Sequence, residues 1–136
     1  MNLLNVIQSI FHNNKHSNGK DTNLGDQIIS EIENDLKQRA PKDILNYNKS
    51  IVQEPQNPNL YCLRGFAKES IDDFEGALND YNQALQIDEN YSIAYYYIGL
   101  LKLTRLNDQK GCLELTKASE LGLLEAKKAL EYYCEK

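Results

Sequence analysis

The chain has no tryptophan, one methionine, two histidines and three prolines in 136 residues. No stretch approaches the ~20 consecutive apolar residues that a membrane-spanning helix requires. Positive charge is also in short supply, with 15 Lys and Arg against 20 Asp and Glu and a net charge of −5. Phosphate binding needs a concentration of Lys and Arg. The densest basic pair, Lys127-Lys128, has Glu125 and Glu131 close by, which describes a solvated helix face. This balance argues against a nucleic-acid partner.

The cysteines, Cys62, Cys112 and Cys134, are odd in number and widely spaced, with no C-x-x-C pair. That spacing suits neither a metal site nor a disulfide framework. It predicts three reduced, mostly buried thiols and a reducing compartment. Catalytic signatures are missing too: there is no Gly-rich phosphate loop, nucleophile elbow or zinc motif. His12 and His16 stand four apart in "HNNKHSNG", a poor helix that supplies no third ligand. Asp72, Asp73 and Glu75 sit at a predicted helix start, where capping and the helix dipole account for them. The reading is a protein without catalytic residues, metal or cofactor, and not an enzyme.

What is present is an ordinary globular composition, 41% hydrophobic and 26% charged, in a chain long enough to bury a core. Residues 2–11 place Leu3, Leu4, Ile7, Ile10 and Phe11 on one helical face. No Lys or Arg precedes this stretch and no small-x-small cleavage motif follows it, so it is not read as a signal peptide. The expectation is a soluble, cytoplasmic protein. A helix this short is unstable alone in water. It packs on the remainder of the chain as an extra cap or lies in that remainder's own groove, or mediates dimerisation or partner contact through Leu3, Ile7 and Phe11. A membrane-surface role is the weakest reading, because the first basic residue is Lys15. Residues 12–23, "HNNKHSNGKDTN", read as a polar linker.

From Leu24 onward the helical period dominates and nothing alternates as a strand would. Two glycines, Gly65 and Gly99, stand 34 residues apart, and the same offset carries Tyr61 to Tyr95, Lys68 to Lys102, Phe66 to Leu100, Ala77 to Gly111, Tyr81 to Leu115 and Ala84 to Ala118. Small positions stay small and large ones stay large. Each copy reads as two helices joined by a short polar turn; in the middle copy these run from about Asn59 to Ser70 and from Phe74 to Ile87. A glycine inside a helix costs up to ~1 kcal/mol relative to Ala, so keeping it at both positions predicts a neighbouring helix in close contact.

These residues resemble the tetratricopeptide repeat. "NLYCLRGFAKESIDDFEGALNDYNQALQIDEN" carries the family pattern at Tyr61, Gly65, Ala77, Tyr81 and Ala84, with Arg64 in place of the usual Leu, Lys68 in place of Tyr and Glu89 in place of the closing Pro. "IAYYYIGLLKL" is a second match, and the "GCL…KASELG" ending resembles small bacterial members. The resemblance implies an all-α fold of antiparallel helical hairpins stacked as a short right-handed solenoid. Its parts would be a weak repeat at 24–57, a strong one at 58–91, another at 92–123 and a capping helix at 124–134, with residues 1–23 as a separate N-terminal segment.

The resemblance further implies that the first helix of each repeat lines a concave groove. Its residues would be Asn59, Cys62, Leu63, Phe66, Glu69 and Ser70, followed by Ile93, Tyr96, Tyr97, Leu100, Leu103 and Thr104. Asn59, Cys62, Leu63, Phe66, Ile93, Tyr96, Tyr97 and Leu100 are the expected partner contacts, buried aromatics being the residues that dominate interfaces. The opposite reading for Phe66, Tyr96 and Leu100 is packing of one repeat on the next. The carboxylate-gripping clamp of some relatives is not expected, because Ile28, Ile32, Leu63, Ile93 and Tyr97 occupy its frame. The implied function is a non-enzymatic interaction module that binds a peptide or helix of another protein. The alternative is a small dedicated chaperone or dimeric scaffold using the N-terminal helix.

Overall fold

The computed structural model describes residues 22–135, and the chain divides into two compact units between Arg39 and Ala40. All regular structure among the described residues is helical: α1 Thr22–Gln53, α2 Pro58–Glu69, α3 Phe74–Ile87, α4 Ser92–Thr104, α5 Gly111–Glu120 and α6 Leu124–Tyr133. The expectations for residues 1–21 lie outside the described residues. No described helix is long and apolar enough to cross a membrane.

Polar punctuation sets the boundaries. Asn57 caps α2 by accepting from the Asn59 N–H at 3.1 Å, and Pro58 begins the helix, where its missing N–H is no loss. Asp73 opens α3 by accepting from the Gly76 N–H at 3.0 Å. Asp72 and Asn107 take positive φ in the two connections that join α2 to α3 and α4 to α5, a conformation that Asp and Asn tolerate better than most residues.

One expected boundary is missing. The hairpin anticipated over 24–57 is a single helix, α1, with Pro41 inside it. Around Pro41 the sequence "DLKQRAPKDIL" contains no glycine, and Leu, Lys, Gln, Arg and Ala all favour helix. Proline's φ is itself helical, and although an interior Pro removes one ladder bond and crowds the carbonyl four residues back, α1 continues through it. The first unit contributes the part of α1 up to Arg39, with Asp35 and Arg39 ion-paired at 3.1 Å along it. The second unit begins at Ala40, and not at the predicted Leu24.

Within the second unit α2 pairs with α3, α4 pairs with α5, and α6 lies on α5 and α4. The core is built from Tyr61, Cys62, Ala77, Tyr81, Ala84, Ala94, Ile98 and Leu101, with Ile51, Phe74, Leu78 and Leu85 packed around it. Two glycines permit the pairings. A Cβ placed on Gly65 would lie 2.7 Å from the Tyr81 ring and 3.2 Å from the Ala77 carbonyl; one on Gly99 would lie 2.8 Å from the Gly111 carbonyl. Both hairpins therefore close through the side chain that glycine lacks.

The 34-residue repeat persists in hydrogen bonds and ion pairs. The Tyr61 hydroxyl donates to the Pro55 carbonyl and the Tyr95 hydroxyl to the Glu89 carbonyl, each at 3.0 Å. Lys68 pairs with Asp80 at 2.9 Å across the first hairpin, and Lys102 pairs with Glu114 across the second. Asp80, 1% exposed, also receives a fork from Arg64, Nε at 2.9 Å and Nη2 at 2.6 Å, while Arg64 Nη1 donates to Asn48 on α1. Arg64 and Lys68, the two departures from the family pattern on α2, are thus the counter-charges of one buried carboxylate. In the second hairpin Ile98 stands where Arg64 does.

The thiols differ from the expectation. Cys112, in the first turn of α5, is disulfide-bonded to Cys134 at the end of α6, with the two Cα atoms 6.0 Å apart. Cys62 alone is free. Residues 22 apart in sequence are brought together because α5 and α6 form an antiparallel pair, which linear spacing does not disclose. The inference of a reducing compartment loses its premise, since disulfides persist chiefly in oxidising surroundings.

Gly65→Ala is expected to lower stability by about 1–3 kcal/mol through overpacking against Tyr81, read from the urea midpoint at unchanged helicity. Closing a loop of this length stabilises by roughly 3 kcal/mol on the chain-entropy account. A reductant should accordingly lower the unfolding midpoint of the wild type and leave that of a Cys112→Ser/Cys134→Ser variant where it was.

Candidate functional site

The face shared by α2 and α4 carries a cluster of aromatic rings, Phe66, Tyr96 and Tyr97, backed by Tyr81 of α3. Tyr97 is its centre. Its ring stacks on Tyr81, with centroids 5.4 Å apart and planes at 11°, and meets Phe66 at 6.1 Å and Tyr96 at 5.8 Å in tilted contacts. Tyr81 is fully buried, whereas Phe66, Tyr96 and Tyr97 are half-buried. The arrangement grades from a core ring to surface rings without a gap, and Gly65 makes room for Tyr81 at its base.

Glu69, at the last turn of α2, reaches this cluster. Its Oε2 accepts from the Tyr81 hydroxyl at 2.9 Å. Burial pushes its carboxyl above the ordinary glutamate range, while the Tyr81 hydroxyl and the charge of Arg105 pull it partly back. Among the described residues no cation lies within ion-pair distance of Glu69, although Asp80 has two and Glu114 has one. Burial likewise raises Tyr97, with Cys62, Tyr96, Glu69 and Tyr91 adding to the shift, so the phenol stays neutral across physiological pH.

The predicted contact residues divide into two sets. Phe66, Tyr96 and Tyr97 are drawn together as above. Leu63, 36% exposed, lies one turn before Phe66 on the same face of α2, and Ile93 and Leu100 flank the tyrosines on α4, partly exposed. Asn59 is exposed but engaged, accepting from the Tyr91 hydroxyl at 3.2 Å.

Cys62 does not belong on this surface. It is 1% exposed, and its thiol is pushed up to about 12 by burial and by the charge of Asp80. The spacing explains the correction: Cys62 is three residues before Gly65, on the stripe that α2 presses against α3. A partner cannot touch it without opening the hairpin.

Sequence reading placed Glu69 on the groove but missed its bond to Tyr81, and missed Asp80 altogether. A signal for Asp80 does exist, because it follows Ala77 by three and precedes Ala84 by four, the period of the buried face.

Residues 70–104 match the family model of the TPR repeat. The match begins in the turn after α2 and runs through α3 and α4, so it covers the second helix of one copy and the first helix of the next. No curated protein matches the chain. The chain thus carries a TPR repeat in an all-helical fold, a class of repeat that generally serves protein–protein interaction and is typically non-catalytic.

Glu69→Gln preserves an acceptor for the Tyr81 hydroxyl and removes the charge that burial penalises. A carboxyl raised in the folded state weakens stability above its folded pKa, and this penalty vanishes below the unfolded value near ~4.3. The Gln variant should therefore have the higher melting temperature at neutral pH, and the difference should shrink to nothing on acidification through the carboxylate range. Melting curves of both proteins across that range supply the check.

Proposed function

We propose that this protein is an interaction module whose α2–α4 face binds a peptide or helix from a protein partner. The observation that carries this reading is the partly exposed apolar and aromatic surface of Leu63, Phe66, Ile93, Tyr96 and Leu100, standing on a ring stack whose geometry is fixed from beneath. A surface held rigid before binding loses little conformational freedom when a partner arrives. Aromatic residues with apolar bodies and polar tips are the usual anchors of such interfaces.

Tyr97 contributes as the support of that surface. Its stack on Tyr81 ties it to the core, so truncating it is expected to disturb packing as well as binding. Leu63, exposed on α2, is the residue whose change tests contact with the least damage to the fold. The reading is an adaptor role without chemistry of its own, and the N-terminal segment is a second candidate for partner contact or for pairing two copies.

A photo-crosslinking amino acid placed at Leu63, irradiated in native lysate, is expected to capture a defined partner band that is absent when the probe sits at Asn82, exposed on α3. Adding Tyr96→Ser should weaken the Leu63 band several-fold at unchanged helicity. Equal capture from both probe positions would refute the assignment of binding to this face.

A further inference from the structure

Glu69 is the one carboxylate of the two hairpins that reaches the aromatic face. Of the other buried or half-buried acids of the hairpins, Asp80 holds Arg64 and Lys68, Glu114 holds Lys102, and Asp108 accepts from the Lys110 N–H in the α4–α5 turn. Among the described residues Glu69 holds a phenol hydroxyl, from Tyr81, and no cation. Arg105, exposed at the end of α4, is its nearest positive influence and stands outside ion-pair distance. A glutamine could also accept from the Tyr81 hydroxyl, though more weakly than a carboxylate.

Phe66 lies one turn before this carboxylate on α2, and its ring meets Tyr97 at 6.1 Å, which in turn meets Tyr96 at 5.8 Å. Ring faces carry negative potential and attract a Lys ammonium or an Arg guanidinium, most strongly where water is partly excluded. A carboxylate at the edge of such rings adds a counter-charge and an acceptor. The stem of a lysine or arginine is itself apolar and suits the surface of Leu63 and Leu100. The chain's net charge of −5 favours the approach of the same class of partner.

We propose that the α2–α4 face selects a basic peptide, with a lysine or arginine side chain laid against Phe66 and its charged end hydrogen-bonded to Glu69. This rests on the reading of that face as a peptide-binding surface and specifies the chemistry of the peptide. Apolar residues beside the basic one would cover Leu63, Ile93 and Leu100. The hydrogen bond to a charged group and the contact with the Phe66 ring together make the basic residue the anchor of the complex.

The test is a random-peptide phage library panned on the full chain, with a Leu63→Ser/Tyr96→Ser variant as counter-selection. Peptides that depend on Leu63 and Tyr96 are expected to be enriched in Lys or Arg flanked by apolar residues. A synthetic peptide of the consensus should lose affinity about tenfold on Glu69→Gln, and about as much when its basic residue becomes Met. The two changes combined should cost little more than either alone. Face-dependent peptides without a basic residue, or binding indifferent to Glu69→Gln, would overturn the cation reading and leave the peptide-binding reading intact. Peptides insensitive to Leu63→Ser/Tyr96→Ser, or no enriched peptides at all, would overturn both. Self-association lost in that variant, with no peptide recovered, would assign the face to a second copy and also refute the proposal.

Discussion

Two helices can lie as close as α2 and α3 do only where a side chain is missing between them. Gly65 is that absence. A Cβ there would meet the Tyr81 ring at 2.7 Å, so the glycine and the tyrosine occupy one volume between them. With Tyr81 set in this position, its ring becomes the platform for Tyr97 and its hydroxyl reaches Glu69. The aromatic surface of the α2–α4 face is therefore a consequence of a contact on the buried side of the hairpin.

Ion pairs then fix the register that the small residues permit. Burying a carboxylate without a partner is costly enough to exclude most alternative alignments of α2 on α3. Asp80 meets Arg64 and Lys68 in only one of them, and Arg64 also reaches Asn48 on α1. The second hairpin uses the lysine–acid half of the device, Lys102 with Glu114, and has Ile98 in place of the arginine. What the second hairpin lacks in charge it gains in covalent support, because the disulfide from Cys112 to Cys134 binds α6 to α5. The two hairpins reach definite geometry by different chemistry on one backbone plan.

Glu69 departs from this economy of paired charges. Burial works against its ionised form, the Tyr81 hydroxyl and the charge of Arg105 offset this only in part, and so the charge costs the folded state some stability. Binding sites commonly carry such costs, because a group satisfied before the partner arrives has less to gain when it does. On this account the aromatic rings supply area and the carboxylate supplies direction. The separation of roles matches the usual anatomy of an interface, in which a few anchors carry the energy.

Much of this was readable in the chain. The interval between Gly65 and Gly99 disclosed the repeat, and caps and helical period located α3 at Phe74–Ile87 before any coordinates. Such features are local or periodic, and local chemistry determines them. Three things were not readable. α1 runs through Pro41 because proline tolerates the helical φ, and a breaker in the sequence is not always a break in the helix. Cys112 and Cys134 meet because α5 and α6 are antiparallel, a fact of tertiary pairing and not of spacing. Cys62 faces the core while Leu63, its neighbour, faces out, because the direction from which α3 approaches α2 decides which stripe is buried. Sequence determined that this protein is a set of helices repeating every 34 residues with small residues at their contacts. Tertiary structure decided which charges meet, because an ion pair depends on distance in space, and residues far apart in the chain acquire one only when the helices pack.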